Sequence, residues 1–132
     1  MRAKGFSLIE LMIVIGVIAL INMVMIPNYT SLQRSAKQIS AKSSARSLMV
    51  AIEQYYFIHQ QYPEGLNVSI SELFSELKAN ELMSKDPINP YTGQPYTLQD
   101  DVGQIIYSRL SSDAYQLKGY GHNAQDVLFE YP

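Results

Sequence analysis

The feature that most constrains this chain is an apolar run close to its amino terminus. Residues 6–26 read FSLIELMIVIGVIALINMVMI and contain only three polar side chains, Ser7, Glu10 and Asn22. As a helix with a rise of about 1.5 Å per residue, the run is about 31 Å long, which matches a hydrocarbon core of about 30 Å. Helices of globular cores seldom stay apolar on every side over such a length. The run therefore predicts a membrane-spanning helix.

A cleaved secretory signal peptide is the competing interpretation, because Arg2 and Lys4 precede the apolar run. Three details argue against it. The run is longer than the usual apolar segment of about 7–15 residues. The residues that follow, Met25-Ile26-Pro27, provide no small-x-small cleavage site, and the carboxylate of Glu10 lies near the start of the run.

Glu10 needs a physical reason to stand in this run. A carboxylate in a membrane helix costs on the order of 2.5–3.5 kcal/mol at the bilayer centre and less near an interface. One interpretation is a capping box with Ser7, in which Glu10 bonds back to the first helical turn. The other is a cationic partner on another chain, since the next basic side chain is Arg34, about 36 Å further along a helix. The residues alone leave both open.

The segment from Lys4 to Glu10, KGFSLIE, followed by LMIVIGVIALI and Pro27, resembles the class III signal of type IV pilins and pseudopilins. The resemblance implies that a prepilin peptidase cleaves between Gly5 and Phe6 and that the new amino terminus of Phe6 is methylated. It also implies that Glu10 pairs with the terminal amine of a neighbouring subunit, and that Pro27 introduces a helix kink. Proline suits a kink because it lacks a backbone donor and clashes with the preceding turn.

Charge divides the rest of the chain. Residues 28–52 include four basic side chains and no acidic one, whereas the chain from Glu53 onward has four basic and eleven acidic ones, a formal charge of −7. The net charge of −2 and the lack of interleaved aromatics in the basic stretch favour a solvated face or a subunit contact over a nucleic-acid face. Because the chain has no Cys, a disulfide framework, a thiolate metal site and a cysteine nucleophile are excluded.

These features predict four segments. Residues 1–5 are a leader peptide, 6–27 a transmembrane or filament-core helix, 28–61 an amphipathic continuation of that helix, and 62–132 a globular domain. The continuation has apolar and aromatic positions at helical spacing, namely Ala41, Ala45, Leu48, Ile52, Tyr55 and His59. The turn-forming segment YPEG at residues 62–65 is expected to stop the helix near Gln60.

The globular domain is predicted to contain a short helix, a proline-rich loop and an antiparallel sheet. Ser69 to Glu72 offers a capping-box start to a helix within residues 66–83. The loop from Lys85 to Tyr96 resembles the D-P-x-x-N-P-Y loop of the major pseudopilin of type II secretion. Alternating residues predict four short strands, at 96–98, 104–109, 114–119 and 127–130. The expected fold class is α+β, a long amino-terminal helix packed on a small antiparallel β-meander, as in pilins.

No catalytic site is predicted. His59 and His122 are the only histidines and lie far apart, and the chain has no phosphate loop, nucleophile elbow or HExxH pattern. Asp100 and Asp101 are candidate calcium ligands, because carboxylate oxygens suit that cation and major pseudopilins bind calcium in an acidic loop. Turn-forming aspartates in solvent are the favoured interpretation, so no cofactor and no metal are expected.

The sequence as a whole predicts a structural subunit of a type IV pilus or a type II secretion-like pseudopilus, and not an enzyme. Expected partners are further copies or other pilins and pseudopilins, the prepilin peptidase, the inner-membrane assembly platform and the membrane, with no direct nucleic acid. The chain is expected to span the inner membrane once, with its soluble domain outside the cytoplasm, and then to enter a filament in the periplasm or at the cell surface. Two alternatives remain: a membrane-tethered binding module or enzyme that does not polymerise, and a competence-pilus subunit that takes up DNA through residues 34–46.

Overall fold

Six secondary-structure elements make up the computed structural model, which describes residues 5–123 and 125–132. In chain order they are α1 (Leu8–His59), β1 (Val68–Ser69), α2 (Ile70–Ala79), β2 (Ile105–Ser111), β3 (Ala114–Tyr120) and β4 (Val127–Tyr131). The chain forms two compact units, Met1–Ala36 and Lys37–Pro132. A long amino-terminal helix and a four-stranded antiparallel sheet confirm the predicted α+β, pilin-like fold class.

Helix α1 ends at His59, one residue before the predicted end at Gln60. Gln60 adopts a φ of 57°, in the left-handed region, and its N–H donates to the carbonyl of Tyr56 at 2.8 Å. A left-handed residue just past the last turn is a common way for a helix to end, because it satisfies a terminal carbonyl. The helix is continuous through residue 27.

The second half of α1 supplies one side of the hydrophobic core. Its predicted face is buried at Ala41, Ala45, Leu48, Ile52 and Tyr55, whereas His59, the last position predicted for that face, is exposed. The opposite side of the core consists of residues from α2 and the sheet, including Ile70, Leu73, Leu77, Ile105, Tyr107, Leu117 and Phe129. The small sheet thus acquires its apolar partner from the helices, as a sheet of this size requires.

Helix α2 begins as the sequence predicts, with Ser69 as its N-cap. The Ser69 hydroxyl accepts from the N–H of Ser71 at 3.5 Å. At the other end, the side-chain amide of Asn80 donates to the carbonyl of Glu76 at 2.9 Å. Both ends of the short helix therefore satisfy backbone groups that would otherwise lack a partner.

The sheet is an antiparallel meander in the order β1-β2-β3-β4. Tyr107 of β2 lies opposite Val68 on one side and Leu117 on the other. The strands predicted at 104–109, 114–119 and 127–130 are confirmed as β2, β3 and β4, each with its end extended by one or two residues. Along β3, buried and half-buried residues alternate as a strand with one face on the core requires.

The predicted strand at residues 96–98 is wrong. The N–H of Thr97 donates to the Asp100 carboxylate at 3.0 Å, and the Thr97 hydroxyl donates to the same group at 2.8 Å. This local bonding competes with a strand ladder for the backbone donor. Tyr96 is buried, but Leu98, which would share its face in a strand, is 60% exposed.

Candidate functional site

The first candidate site is the segment where cleavage is predicted. Gly5, Phe6 and Ser7 precede α1 and lie outside regular structure. Phe6 is 82% exposed, and among the residues that the structure describes, no atom outside the chain neighbours of Gly5 lies within 4 Å of the position of a Cβ on it. The bond between Gly5 and Phe6 is therefore open to another molecule, as a processing site must be. Residues 1–4 of the predicted leader lie outside the described residues.

Glu10 lies in the first turn of α1. The N–H of Ser7 donates to Oε2 of Glu10 at 3.3 Å, and the carbonyl of Ser7 accepts from the N–H of Leu11 at 3.2 Å. This is the backward bond of a capping box. Over residues 5–123 and 125–132, no ion pair includes Glu10. The capping contact is thus present within one chain, and the pairing with a neighbouring subunit stays a prediction.

The described residues of the chain leave the apolar run uncovered. Helix α1 contains a segment near the amino terminus that is long and apolar enough to cross a membrane, and none of that segment is buried. The Asn22 side-chain amide donates to the carbonyl of Ile18 at 2.9 Å, and Asn28 donates to Val24 at 3.3 Å. The kink predicted at Pro27 remains a prediction.

The basic stretch that follows is exposed and largely unpaired. Arg34, Lys42 and Arg46 are exposed, and Lys37 lies 5.8 Å from the centre of the Tyr91 ring. In the part of the chain that the structure describes, the three ion pairs join Lys78 to Asp86, Arg109 to Glu64 and Lys118 to Glu130. None of them uses a base of residues 28–52, because that stretch has no acid of its own at helical spacing.

The calcium candidates differ in their surroundings. Asp101 is exposed, whereas the carboxylate of Asp100 is nearly buried and accepts from Thr97 and from the Asn89 amide at 3.2 Å. The fully buried Asn89 also donates to the carbonyl of Val102 at 2.8 Å. Asp100 therefore ties the proline-rich loop together. Within the described residues, no group of three His, Cys, Asp or Glu side chains is placed to hold a metal ion, and calcium binding stays untested.

The titratable groups with shifted pKa values are tyrosines that help to build the core. The Tyr55 hydroxyl donates to Glu76 at 2.7 Å, and burial, followed by that hydrogen bond, raises the pKa of Tyr55 to about 12. Burial and the nearby Glu53 raise the pKa of Tyr62. Such tyrosines stay neutral at physiological pH, so they serve as hydrogen-bond donors.

The two histidines lie at the surface, one at the end of α1 and the other between β3 and β4. His59 places Nε2 3.0 Å from Oδ1 of Asn80, and its ring packs 4.3 Å from that of Tyr55. His122 is exposed in the bend between β3 and β4. The hydrogen bond of His59 goes to an amide, and none of the ion pairs among the described residues includes either histidine.

Comparison with known proteins gives one family match and several relatives. A family model described as the prokaryotic N-terminal methylation motif matches residues 1–21. The type IV major pilin protein PilA of Myxococcus xanthus is 35% identical over 66 residues, which are 50% of this chain and 30% of PilA. The fimbrial protein of Neisseria meningitidis serogroup B is 34% identical over 87 residues, 65% of this chain and 51% of that protein.

A type IV major pilin protein PilE1 of Neisseria gonorrhoeae is 32% identical over 81 residues, 61% of this chain and 38% of PilE1. The chain thus aligns with about a third to a half of the length of these curated relatives. No solved structure matches it. The methylation motif and the major pilins together support the type IV pilin family that the sequence resembles.

Proposed function

We propose that this chain, a relative of the type IV pilins, is a structural subunit of a type IV pilus-like filament. The observation that carries the proposal is the match of residues 1–21 to the methylation motif, combined with an exposed Gly5–Phe6 bond directly before an uncovered apolar helix. The relatives are pilins and fimbrial proteins. Such proteins are structural and not enzymes, in line with the prediction from the sequence.

The uncovered apolar half of α1 suggests how one segment serves two environments. In the monomer its exposed apolar side chains are satisfied by lipid. In a filament they would pack against the same helix of other subunits, so the segment exchanges one apolar environment for another. A contact between two different surfaces of one chain repeats without closing, and such repetition generates a helical polymer.

Glu10 favours the filament over the membrane-bound monomer, because its charge is paired only after assembly. Its carboxylate is held only by the Ser7 N–H in the monomer, as far as the described residues show. After cleavage, the amine of Phe6 on a neighbouring subunit would complete an ion pair with it. Leaving one member of a buried pair unpaired costs about 3–5 kcal/mol, so correct register is favoured over every other.

The setting follows from the same features. Prepilin peptidase would process the chain in the inner membrane, and an assembly platform there would add it to the filament. The soluble domain would lie outside the cytoplasm. Similarity to major pilins and fimbrial proteins favours a surface pilus over a secretion pseudopilus, and nothing in residues 34–46 adds the aromatic side chains that would favour DNA uptake.

Intact mass combined with imaging tests the proposal. The full chain is produced in cells with its peptidase, surface material is sheared off, and the recovered chain is weighed. The expected chain lacks the residues MRAKG, carries one added methyl group and comes from visible filaments. A chain that stays uncut in the membrane and yields no filaments would instead support a tethered, non-polymerising module.

A further inference from the structure

An uncovered groove runs along the outer side of α1 in the unit Lys37–Pro132. We call it the outward groove; it has a volume of about 690 Å³ and is lined by Arg46, Val50, Gln54, Phe57, Ile58 and Leu82, among others. Phe57 is 81% exposed, and Val50 and Ile58 are each 59% exposed. Residues 46, 50 and 57 share a helical face on the opposite side from the core residues Leu48 and Ile52.

A second apolar feature of the same unit projects into solvent. Leu66 is 73% exposed and Leu110 is 61% exposed. The N–H of Arg109 donates to the carbonyl of Gly65 at 2.8 Å, and both leucines line the same shallow surface pocket. We call this pair the leucine ridge. Beside it, the side chain of Glu64 is 89% exposed and lies 3.6 Å from Arg109.

We propose that the outward groove of one subunit receives the leucine ridge of a second copy of this chain. The inference rests on the proposed filament function and names one contact surface within it. Burying Leu66 and Leu110 against Val50 and Phe57 removes four large exposed side chains from water, and each stabilises the contact by up to about 1.5–3 kcal/mol when fully buried. Four exposed apolar side chains on two separate surfaces of one domain point to partners of this kind.

Charge supports the same pairing. Arg46 lines the groove and, within the described residues, forms no ion pair. Glu64 borders the ridge; it lies 3.6 Å from Arg109 of its own chain, and its side chain is 89% exposed and so open to a second base. Placing the ridge in the groove brings a base to an acid. The other charge in the groove, Glu53, already accepts from the Tyr62 hydroxyl at 3.3 Å.

The geometry of the contact explains polymerisation through the domain as well as through the helix. Groove and ridge are different surfaces, so each subunit offers one of each. A contact of this type is heterologous and leaves a free groove and a free ridge at the two ends of any oligomer. A lipid surface is a different occupant of the groove, and it would not select the ridge.

Cysteine cross-linking tests the contact directly, because the chain has no Cys. The full chain in cells carries Gln54→Cys in the groove together with Ser112→Cys, which lines the pocket beside the leucine ridge. A short bismaleimide is expected to give a ladder of dimers, trimers and larger products. Either cysteine alone should give none, and Gln54→Cys combined with Gln94→Cys, an exposed position in the proline-rich loop, is the mismatched control.

The second part of the experiment exchanges the charges of Arg46 and Glu64 in the chain that carries both cysteines. Arg46→Glu and Glu64→Arg should each lower the amount of cross-linked product about tenfold. The two changes together should restore that amount to within about twofold of the starting chain. Lys85→Glu and Asp101→Arg, both exposed, are the matched controls and should leave it unchanged. Circular dichroism confirms that each variant is folded.

Parallel imaging separates this inference from the proposed function. Filaments without a ladder would overturn the groove contact and leave the filament function standing. Dimers from a single cysteine would show a symmetric interface and overturn it as well. A ladder without filaments would support the contact and contradict the filament, and the loss of both would overturn the two proposals together. An unchanged amount of cross-linked product after either single charge change would contradict the proposed Arg46–Glu64 ion pair.

Discussion

Replacing Glu10 by glutamine separates the two roles that a carboxylate can have at this position. The capping role needs only a side-chain oxygen that accepts from the Ser7 N–H, and glutamine supplies one. The pairing role needs a negative charge, which glutamine lacks. Alanine removes both roles. The series of wild type, Glu10→Gln and Glu10→Ala therefore distinguishes a helix cap from an intermolecular ion pair.

The two roles differ in magnitude. The Ser7–Glu10 bond is 3.3 Å long and exposed, and capping contacts of this type contribute about 0.5–2 kcal/mol. Losing one partner of a buried ion pair between subunits costs about 3–5 kcal/mol. That loss corresponds to a reduction of the association constant by more than about 100-fold, since each 1.4 kcal/mol is about a factor of ten.

The assay is the amount of chain in sheared surface filaments relative to the total in the cell. We expect both variants to insert in the membrane and to be cut after Gly5, with filament yield lowered at least about 100-fold for each. Intact mass of the membrane fraction serves as the control for processing. Circular dichroism in detergent verifies that the domain is folded.

Wild-type filament yield from the Glu10→Gln chain would refute the reasoning, because an uncharged side chain would then suffice. If only Glu10→Ala were impaired, the capping interpretation would explain the residue completely. If a variant stays uncut, the result would show that Glu10 is needed for recognition by the peptidase and not for assembly.

Three further predictions concern the domain, and thermal unfolding of the full chain in detergent measures each of them. Asn89→Ala removes two buried donors and leaves the Asp100 carboxylate short of a partner, so the free energy of unfolding should fall by about 2–4 kcal/mol, and an unchanged midpoint would contradict the role given to the loop. Because the pKa of Tyr55 is raised from 10.0 to about 12 in the folded state, its contribution is complete below pH 10 and is lost as the pH rises through 12, so stability should decline over that interval and less so for Tyr55→Phe. Gly119→Ala places a methyl group against the ring of Phe129 and should cost about 1–3 kcal/mol, whereas a neutral result would mean that the ring moves aside freely.

Two kinds of local signal account for the part of the fold that the sequence predicts. The buried face of α1 and three strands have a periodic pattern with one side on the core, whereas the end of α1 and the start of α2 follow from the YPEG turn and the cap at Ser69. Strand β1 has two residues, Val68 and Ser69, which are too few to show a period, and it exists because β2 pairs with it. Its presence depends on contacts distant in the sequence, which local patterns do not contain.

The error at residues 96–98 has a different cause. Alternation at Tyr96 and Thr97 describes correctly which side chain is buried, but burial does not require a ladder. Asp100 takes the Thr97 N–H three residues away, and a local side-chain bond is enough to replace a strand. The side chains of Asn89 and Asp100 therefore order the proline-rich loop. Both residue types are common in turns, but here they hold the loop through hydrogen bonds to residues distant within it.

The two candidate sites differ in how far the sequence alone reveals them. The amino-terminal site is a linear motif, so its residues can be recognised from the sequence alone. The outward groove has no such signal, because its apolar side chains Val50, Phe57 and Ile58 alternate with polar ones, and the pattern does not show which of them are buried. Only the structure shows that the opposite face of the helix packs on the core and that these side chains are therefore exposed to solvent.

The amide of Asn22 has one more consequence for how the apolar helix moves between environments. Its bond to the Ile18 carbonyl stays inside one turn of its own helix. Transfer from lipid to a bundle of helices would leave that bond intact, while the second N–H and the oxygen of the same amide can bond to a neighbouring helix. Asn22 would then add to the alignment that the charge of Glu10 favours, because both are polar groups in an otherwise apolar stretch of helix.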